Sequence, residues 1–296
     1  MTTKVLVIGA SGRVGSQVVA ELQSHGQGIE LRVATSRPQQ AEQWRDEGRD
    51  AVVLDLNDPQ TFPGALKGVD RVFLLTGYTS DMLYQSKKLT DAAVEAQVKH
   101  IVHLGVFSCG CDSIPHFTWH DLVETYIKAS GIAWTNIHPN VIAESILDTK
   151  PSMQEASSFT IFSGDTPQGW VFVEDIAQVS AAVLREGPAK HASADYWLST
   201  EVLTGSEVAD VFSRTAGRKI SCNYVSIEEM ASRVAAIPSA SVRSYMESAV
   251  ITMKLTAEGK MLCQTTVRDD VMKVIGRPGI TMGEWAKRFF AKANPI

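Results

Sequence analysis

Near the start of the chain, the glycine series Gly9-Ala10-Ser11-Gly12-Arg13-Val14-Gly15 follows the apolar run Val5-Leu6-Val7-Ile8. Set between a strand and a helix, such a loop suits a pyrophosphate. Gly9 permits the tight turn, Gly12 lets backbone amides approach, Gly15 lets the helix pack on the strand, and the helix N-terminus adds partial positive charge. The spacing is GxxGxxG, a variant of the GxGxxG dinucleotide fingerprint. A second apolar run ends Ala34-Thr35-Ser36-Arg37, where an NAD site would carry a ribose-binding carboxylate. An arginine there suits a 2′-phosphate, which it can grip bidentately, and Arg13 could close over the same group. The residues therefore predict NADP(H) in preference to NAD(H); ordinary surface solvation is the alternative for each arginine.

Proton-transfer and metal chemistry have weaker candidates. The helix expected after the fifth strand carries His116-Phe117-Thr118-Trp119-His120 and lacks the Tyr-xxx-Lys pair of alcohol–ketone dehydrogenases. A literal match at Tyr84 and Lys88 precedes that strand, so chance helical spacing explains it. His120 is the catalytic candidate: near its ordinary pKa of about 6.5 an imidazole can bond a ribose or pass a proton, although a satisfied core histidine reads the same way. Phe107, Trp119 and Tyr78 offer flat surfaces to an acceptor. Cys109, Cys111, His116 and His120 lie close in sequence, but Cys-x-Cys is not the usual zinc spacing, and no metal site is expected. Glu124 and Asp175 could pass for a carboxylate pair; Asp175 reads better as the cap of a helix starting at Ile176.

These residues need a scaffold, and the chain supplies one. Strands are predicted at Val5–Ile8, Leu31–Thr35, Ala51–Leu54, Arg71–Leu75, His100–Leu104 and Ala133–Ile137, with helices near Val14–Gln23, Gln39–Glu47, Asp81–Gln97 and Thr118–Ser130. Near-continuous apolar strands alternating with amphipathic helices call for an α/β fold, a doubly wound parallel (Rossmann) sheet covered on both faces. Ser145–Gly169 reads as irregular. It is followed by a strand at Val171–Asp175, helices at Ile176–Leu184 and Gly205–Ala216, and a strand at Tyr196–Ser199 between them. The expected division is a dinucleotide-binding part of residues 1–143 plus about 169–187, and a smaller α+β substrate lobe of residues 144–168 and 188–296. Loops at Asn140–Gly169 and Ser226–Val250 are expected to build the substrate pocket.

Gly9–Gly15, Arg37, Asp55-Leu56, Val171-Phe172-Val173-Glu174-Asp175-Ile176-Ala177, Thr204–Glu207 leading to Ala216-Gly217-Arg218, and Asp269 to Trp285 with Gly276-Arg277-Pro278 resemble the NmrA-like group of atypical short-chain dehydrogenases. His120–Glu124 followed by Ser130–Thr135 is similar to the branch of NADPH-dependent quinone and triphenylmethane dye reductases, many of which carry Lys where His120 stands. The resemblance implies that Asp55, Leu56, Thr76 and Gly77 border the cofactor and that Gly105, Val106 and Phe107 lie near the nicotinamide. It also implies either hydride transfer to a flat conjugated acceptor (a quinone, dye or enone) or an NADP(H)-sensing regulator without turnover. An epimerase is disfavoured by the missing tyrosine acid.

Composition narrows the classes further. The 296 residues carry 28 Lys plus Arg against 33 Asp plus Glu, a net charge of −5 without basic runs, which argues against a nucleic-acid partner. No apolar stretch approaches the roughly 18 residues of a membrane span, and four cysteines make no disulfide framework. The expectation is a cytoplasmic protein with a small-molecule substrate and no membrane partner, with room for a homodimer and, under the regulator reading, a protein partner.

Overall fold

The computed structural model describes residues 2–108, 110–149 and 157–291. Its first half alternates β1 (Thr3–Val7), α1 (Arg13–His25), β2 (Ile29–Thr35), α2 (Pro38–Asp46), β3 (Asp50–Val53), α3 (Phe62–Leu66), β4 (Arg71–Leu75), α4 (Met82–Glu95), β5 (His100–Leu104), α5 (Pro115–Ala129) and β6 (Ala133–Pro139). There follow β7 (Val141–Ile142), β8 (Ser158–Ile161), β9 (Gln168–Val171), α6 (Val173–Glu186), α7 (Pro188–His191), β10 (Ala194–Leu198), β11 (Glu201–Leu203), α8 (Gly205–Ala216), β12 (Ser221–Tyr224), α9 (Ile227–Ala235), α10 (Ala240–Ala257), α11 (Asp270–Ile275) and α12 (Met282–Ala291).

Among the described residues, seven strands form one sheet in the order β3-β2-β1-β4-β5-β6-β10, every pairing parallel. The chain crosses from β3 back to β4, beside β1, so the topological switch point lies between β1 and β4, where such sheets bind ligands. One face packs Val14, Val18 and Leu22 of α1 and Ile176, Val179 and Val183 of α6 against Val5, Val7 and Phe73. The other packs Phe62, Leu66, Leu89, Val123 and Ile127 against Leu6, Val72 and Leu74. Both faces are thus dry, which is why the strands read as continuous apolar runs rather than alternating ones. The predicted Rossmann architecture is the one observed.

A smaller group of elements sits at the sheet's C-terminal edge. β9 pairs with β7 and β11, β8 pairs with β12, and Phe159, Trp170, Phe172, Phe212 and Phe290 fill a separate core under α8 and α12. Ser226 and Ser239 cap α9 and α10, each side chain accepting the amide three residues on, and so fix where these two helices begin. Among the described residues, no helix is long and apolar enough to cross a membrane.

Several local expectations are corrected. The stretch 145–169 is not all irregular: β8 and the start of β9 lie in it, their backbone groups taken up by strands from far along the chain. The strand expected at Val171–Asp175 ends at Val171, and α6 starts at Val173. Asp175 is therefore not a cap but sits in the first turn of α6, where Arg277 Nη1 reaches its Oδ1 at 2.7 Å and the Ile280 amide donates to its Oδ2 at 2.8 Å. The incoming amide of Val173 is bonded instead by the Glu144 carboxylate. Residues 226–250, expected as a loop, hold α9 and the first part of α10, joined by a short turn at 236–239. Residues 194–198, placed with the lobe from sequence, form the edge strand of the main sheet.

Candidate functional site

The glycine loop joins β1 to α1 directly. Gly9 has φ +71°, in the left-handed region that favours glycine, and an added side chain there would press on Leu75. At Gly15 a Cβ would lie 2.1 Å from the carbonyl oxygen of Gly9, and at Gly12 it would lie 3.2 Å from the same atom. The loop is thus folded back on itself too tightly for any side chain at Gly15. Val14, also in the loop, and Ala10 are buried beneath it. Arg13 is exposed at the start of α1 and coupled electrostatically to Glu144.

In front of the loop lies a cavity of about 370 Å³ walled by Gly9, Ser11, Arg37, Asp55, Leu56 and Gly77, with Thr79 and Gln85 behind. Arg37 stands where β2 ends, immediately before Pro38 opens α2, and its Nη2 donates to Ser11 Oγ at 3.3 Å. Asp55 turns its carboxylate to the amide of Asn57. Residues from the ends of β1, β2, β3 and β4 therefore converge on one space, as the sequence predicts. Thr76 sits between Leu75 and Gly77 without forming part of the wall.

A second cavity, about 780 Å³, opens on the other side of this segment. Gly77 and Thr79 face the first cavity and Tyr78 the second, so the two spaces meet at one turn. Val106 and Phe107 line the second cavity after β5, opposite Tyr245 and Met246 of α10 and Trp170 of β9. Of the three flat side chains singled out from sequence, Phe107 and Tyr78 reach it. Trp119 instead packs 6.1 Å from Tyr245, with the apolar residues around α5. The contributions of Trp170, Gln168, Arg233 and Tyr245 carry no local signal in the sequence, because three separate segments, β9, α9 and α10, bring them together.

Gly105 explains itself by what lies beneath. A Cβ there would come within 2.8 Å of Glu124 Oε1 and 3.3 Å of His138 Nδ1. The turn rests on a buried polar group in which His138 Nδ1 donates to the Val106 carbonyl at 3.1 Å, its Nε2 faces Asp195 Oδ1 at 3.1 Å, and its ring stacks on Trp197 at 4.0 Å. Glu124 lies 3.6 Å from His138 and 3.8 Å from His103; burial pushes its carboxyl up to about 7. Gln264 Nε2 donates to the Phe107 carbonyl at 3.3 Å from the opposite side.

His120 belongs to this buried layer. It is 5% exposed, lines neither cavity, and its ring stands 5.7 Å from His103. Burial, with His103, His116 and His138 nearby, holds its pKa well below the ordinary value, so near neutrality its ring is uncharged. His120 thus stands off both cavity walls, and its surroundings suit support of the turn above it. Cys109 lies outside the described residues. Cys111 Sγ is 3.2 Å from Ser113 Oγ and His116 Nδ1 is 2.8 Å from Ser248 Oγ, so neither turns toward His120 as a ligand set. Among the described residues, Glu124, His138 and Asp195 alone group like metal ligands, and Lys128 already stands 3.9 Å from Glu124 and 3.8 Å from Asp195. Glu124 and Asp175 sit on α5 and α6, on opposite faces of the sheet, and form no pair. Tyr84 is exposed on α4 with Lys88 over its ring, outside both cavities.

Comparison with known proteins fits this geometry. The model of the NmrA-like family matches residues 1–276. An NAD(P)H azoreductase of Xenophilus azovorans is 28% identical over 284 residues, covering 96% of each chain. Among solved structures, the Citrobacter sp. triphenylmethane reductase complexed with NADP(H) superposes with a TM-score of 0.78 at 23% identity, over 96% of this chain and 99% of that one. An NADPH-dependent quinone oxidoreductase of Escherichia coli complexed with NADPH gives 0.80 at 20% identity, over 97% and 99%.

Proposed function

The chain belongs to the NmrA-like family, and from that premise we propose that it is an NADPH-dependent reductase delivering a hydride to a flat conjugated acceptor of quinone, dye or enone type. The observation that carries this reading is the meeting of two cavities at Gly77-Tyr78-Thr79, one built like a nucleotide cradle and the other apolar and large enough for an aromatic acceptor. The residues fit the cofactor. The Gly9–Gly15 loop leaves room for a pyrophosphate at the N-terminus of α1, and Arg37 with Ser11 stands where a 2′-phosphate would be held. Gly105, Val106 and Phe107 would border the nicotinamide, with Asp55, Leu56, Thr76 and Gly77 along the rest of the dinucleotide.

The bound cofactor would supply the hydride. The chain's own part is orientation and exclusion of water: Tyr78, well exposed, gives the acceptor a flat surface, the buried rings of Phe107 and Trp170 back the wall, and the buried His138–Glu124–His120 layer fixes the turn beside it. An electron-poor acceptor needs little acid assistance, which agrees with a site whose single imidazole among the described wall residues, His116, is held neutral by burial. The names of the azoreductase and of the dye and quinone reductases support the same class of chemistry.

The test is NADPH oxidation by the purified protein across quinones, azo and triphenylmethane dyes and enones, followed by loss of nicotinamide absorbance. Turnover of at least one acceptor supports the reading. Tight NADPH binding with no turnover of any would favour the regulator alternative instead.

A further inference from the structure

The wall of the larger cavity is unevenly charged. Among its described residues the single permanent charge is Arg233 on α9, and none is Asp or Glu. His116 adds no charge near neutrality, since burial pushes its pKa down to about 4. Two donors on this wall lack partners among the described residues: Gln168 Nε2 and Ser163 Oγ, on side chains 7% and 5% exposed. Buried donors without acceptors are costly, and a ligand atom that accepts from them recovers that cost.

Resting on the reductase reading, we propose that this cavity selects acceptors bearing an anionic substituent, a sulfonate or carboxylate. Arg233 holds that group at the rim, and Gln168 and Ser163 offer hydrogen bonds to a polar atom of the conjugated core. A cationic acceptor would enter a mainly apolar wall with no counter-charge and meet Arg233 at like charge. The Arg233 side chain is 55% exposed and its Nη2 is given to Glu229 Oε1, at 2.5 Å, so its planar fork has further N–H donors for an oxyanion. Glu229 lies one helical turn back and competes for the same charge.

The experiment compares initial rates at saturating NADPH for anthraquinone-2-sulfonate, neutral menadione and the cationic dye crystal violet. Because Arg233 is half in solvent, Arg233→Met should raise KM for the sulfonate about three- to fivefold and leave menadione within about twofold. Glu229→Gln, on the exposed face of α9, should lower KM for the sulfonate. Equal effects on both quinones, no effect of either substitution, or a higher kcat/KM for crystal violet than for the sulfonate would overturn the proposal. If no acceptor is reduced although NADPH binds, the reductase reading fails by itself. Calorimetric binding of anthraquinone-2-sulfonate to the NADP⁺-loaded protein then decides the matter: weaker binding by Arg233→Met upholds the anion site, and equal binding removes it.

Discussion

Arg37 Nη2 donates to Ser11 Oγ across 3.3 Å, tying the end of β2 to the glycine loop at the mouth of the smaller cavity. The contact pre-positions a guanidinium beside the space that the loop leaves for phosphate oxygens. If Arg37 reads a 2′-phosphate, Arg37→Asp removes a charge-assisted contact worth roughly 1.5–3 kcal/mol and should weaken NADPH by about ten- to a hundredfold. The new carboxylate can accept from ribose hydroxyls, so NADH should be spared or improved. Titration of both cofactors into wild type and variant checks this; equal losses for the two would place the phosphate elsewhere.

Gly15 tests the loop itself. With a Cβ 2.1 Å from the Gly9 carbonyl oxygen, Gly15→Ala must push the first turn of α1 away from the β1 end. Overpacking of this kind costs about 1–3 kcal/mol, and the displaced amides should reduce affinity for NADPH and NADH alike. Parallel losses for both cofactors, together with a lower melting temperature, are the expected result. Unchanged binding would mean that the loop does not hold the pyrophosphate.

The parts of this molecule that were legible in the sequence are those set by local chemistry. Apolar runs place β4 and β5 to the residue, and Gly9, Ser11 and Arg37, singled out by type and spacing, line one cavity. The rest depends on contacts at long range. Asp175 reads as a cap by its neighbours, yet it is held by Arg277 and Ile280, about a hundred residues away in sequence. His120 reads as a reactive imidazole because pattern alone cannot report its burial beside His103. The cavity wall shared by β9, α9 and α10 has no motif: β9 gives Gln168 and Trp170, α9 gives Arg233, and the face that α10 gives reads in sequence as ordinary helix packing.

The buried position of His120 makes a kinetic prediction. A proton donor in the reaction typically contributes a factor of about 10² or more, whereas a supporting side chain should cost less. His120→Gln should therefore lower kcat for a quinone by less than about tenfold and leave the pH profile of kcat unchanged in shape. A loss beyond about a hundredfold with disappearance of a limb between pH 6 and 7 would restore a direct role in proton transfer.

Three fully buried or nearly buried histidines set the acid limit of the fold. Burial pushes His100 to about 4, His103 to about 3 and His116 to about 4, with Arg71 and His191 adding repulsion at His100 and His138 adding it at His103. Their folded values lie below 6.5, so the unfolded chain binds more protons in between. The stability they confer is present above about pH 6.5 and is lost as pH falls toward 4. At pH 5 each has forfeited roughly 2 kcal/mol. Glu124 works in the opposite sense: burial pushes its carboxyl from 4.5 up to about 7, so its penalty, present above pH 7, is relieved on acidification. That relief between pH 7 and 5 is also about 2 kcal/mol, and the raised carboxyls of Glu144 and Asp175 add to it, while His120, held well below its ordinary value, adds to the loss; with four histidines on the losing side, the fold should be weaker at pH 5. Calorimetric melting at both pH values should show a drop of several degrees. His116→Gln should shrink the drop, and Glu124→Gln, by deleting the compensating group, should deepen it. Stability that is flat or rising from pH 7 to pH 5 would contradict the assignment of these histidines as neutral in the folded chain.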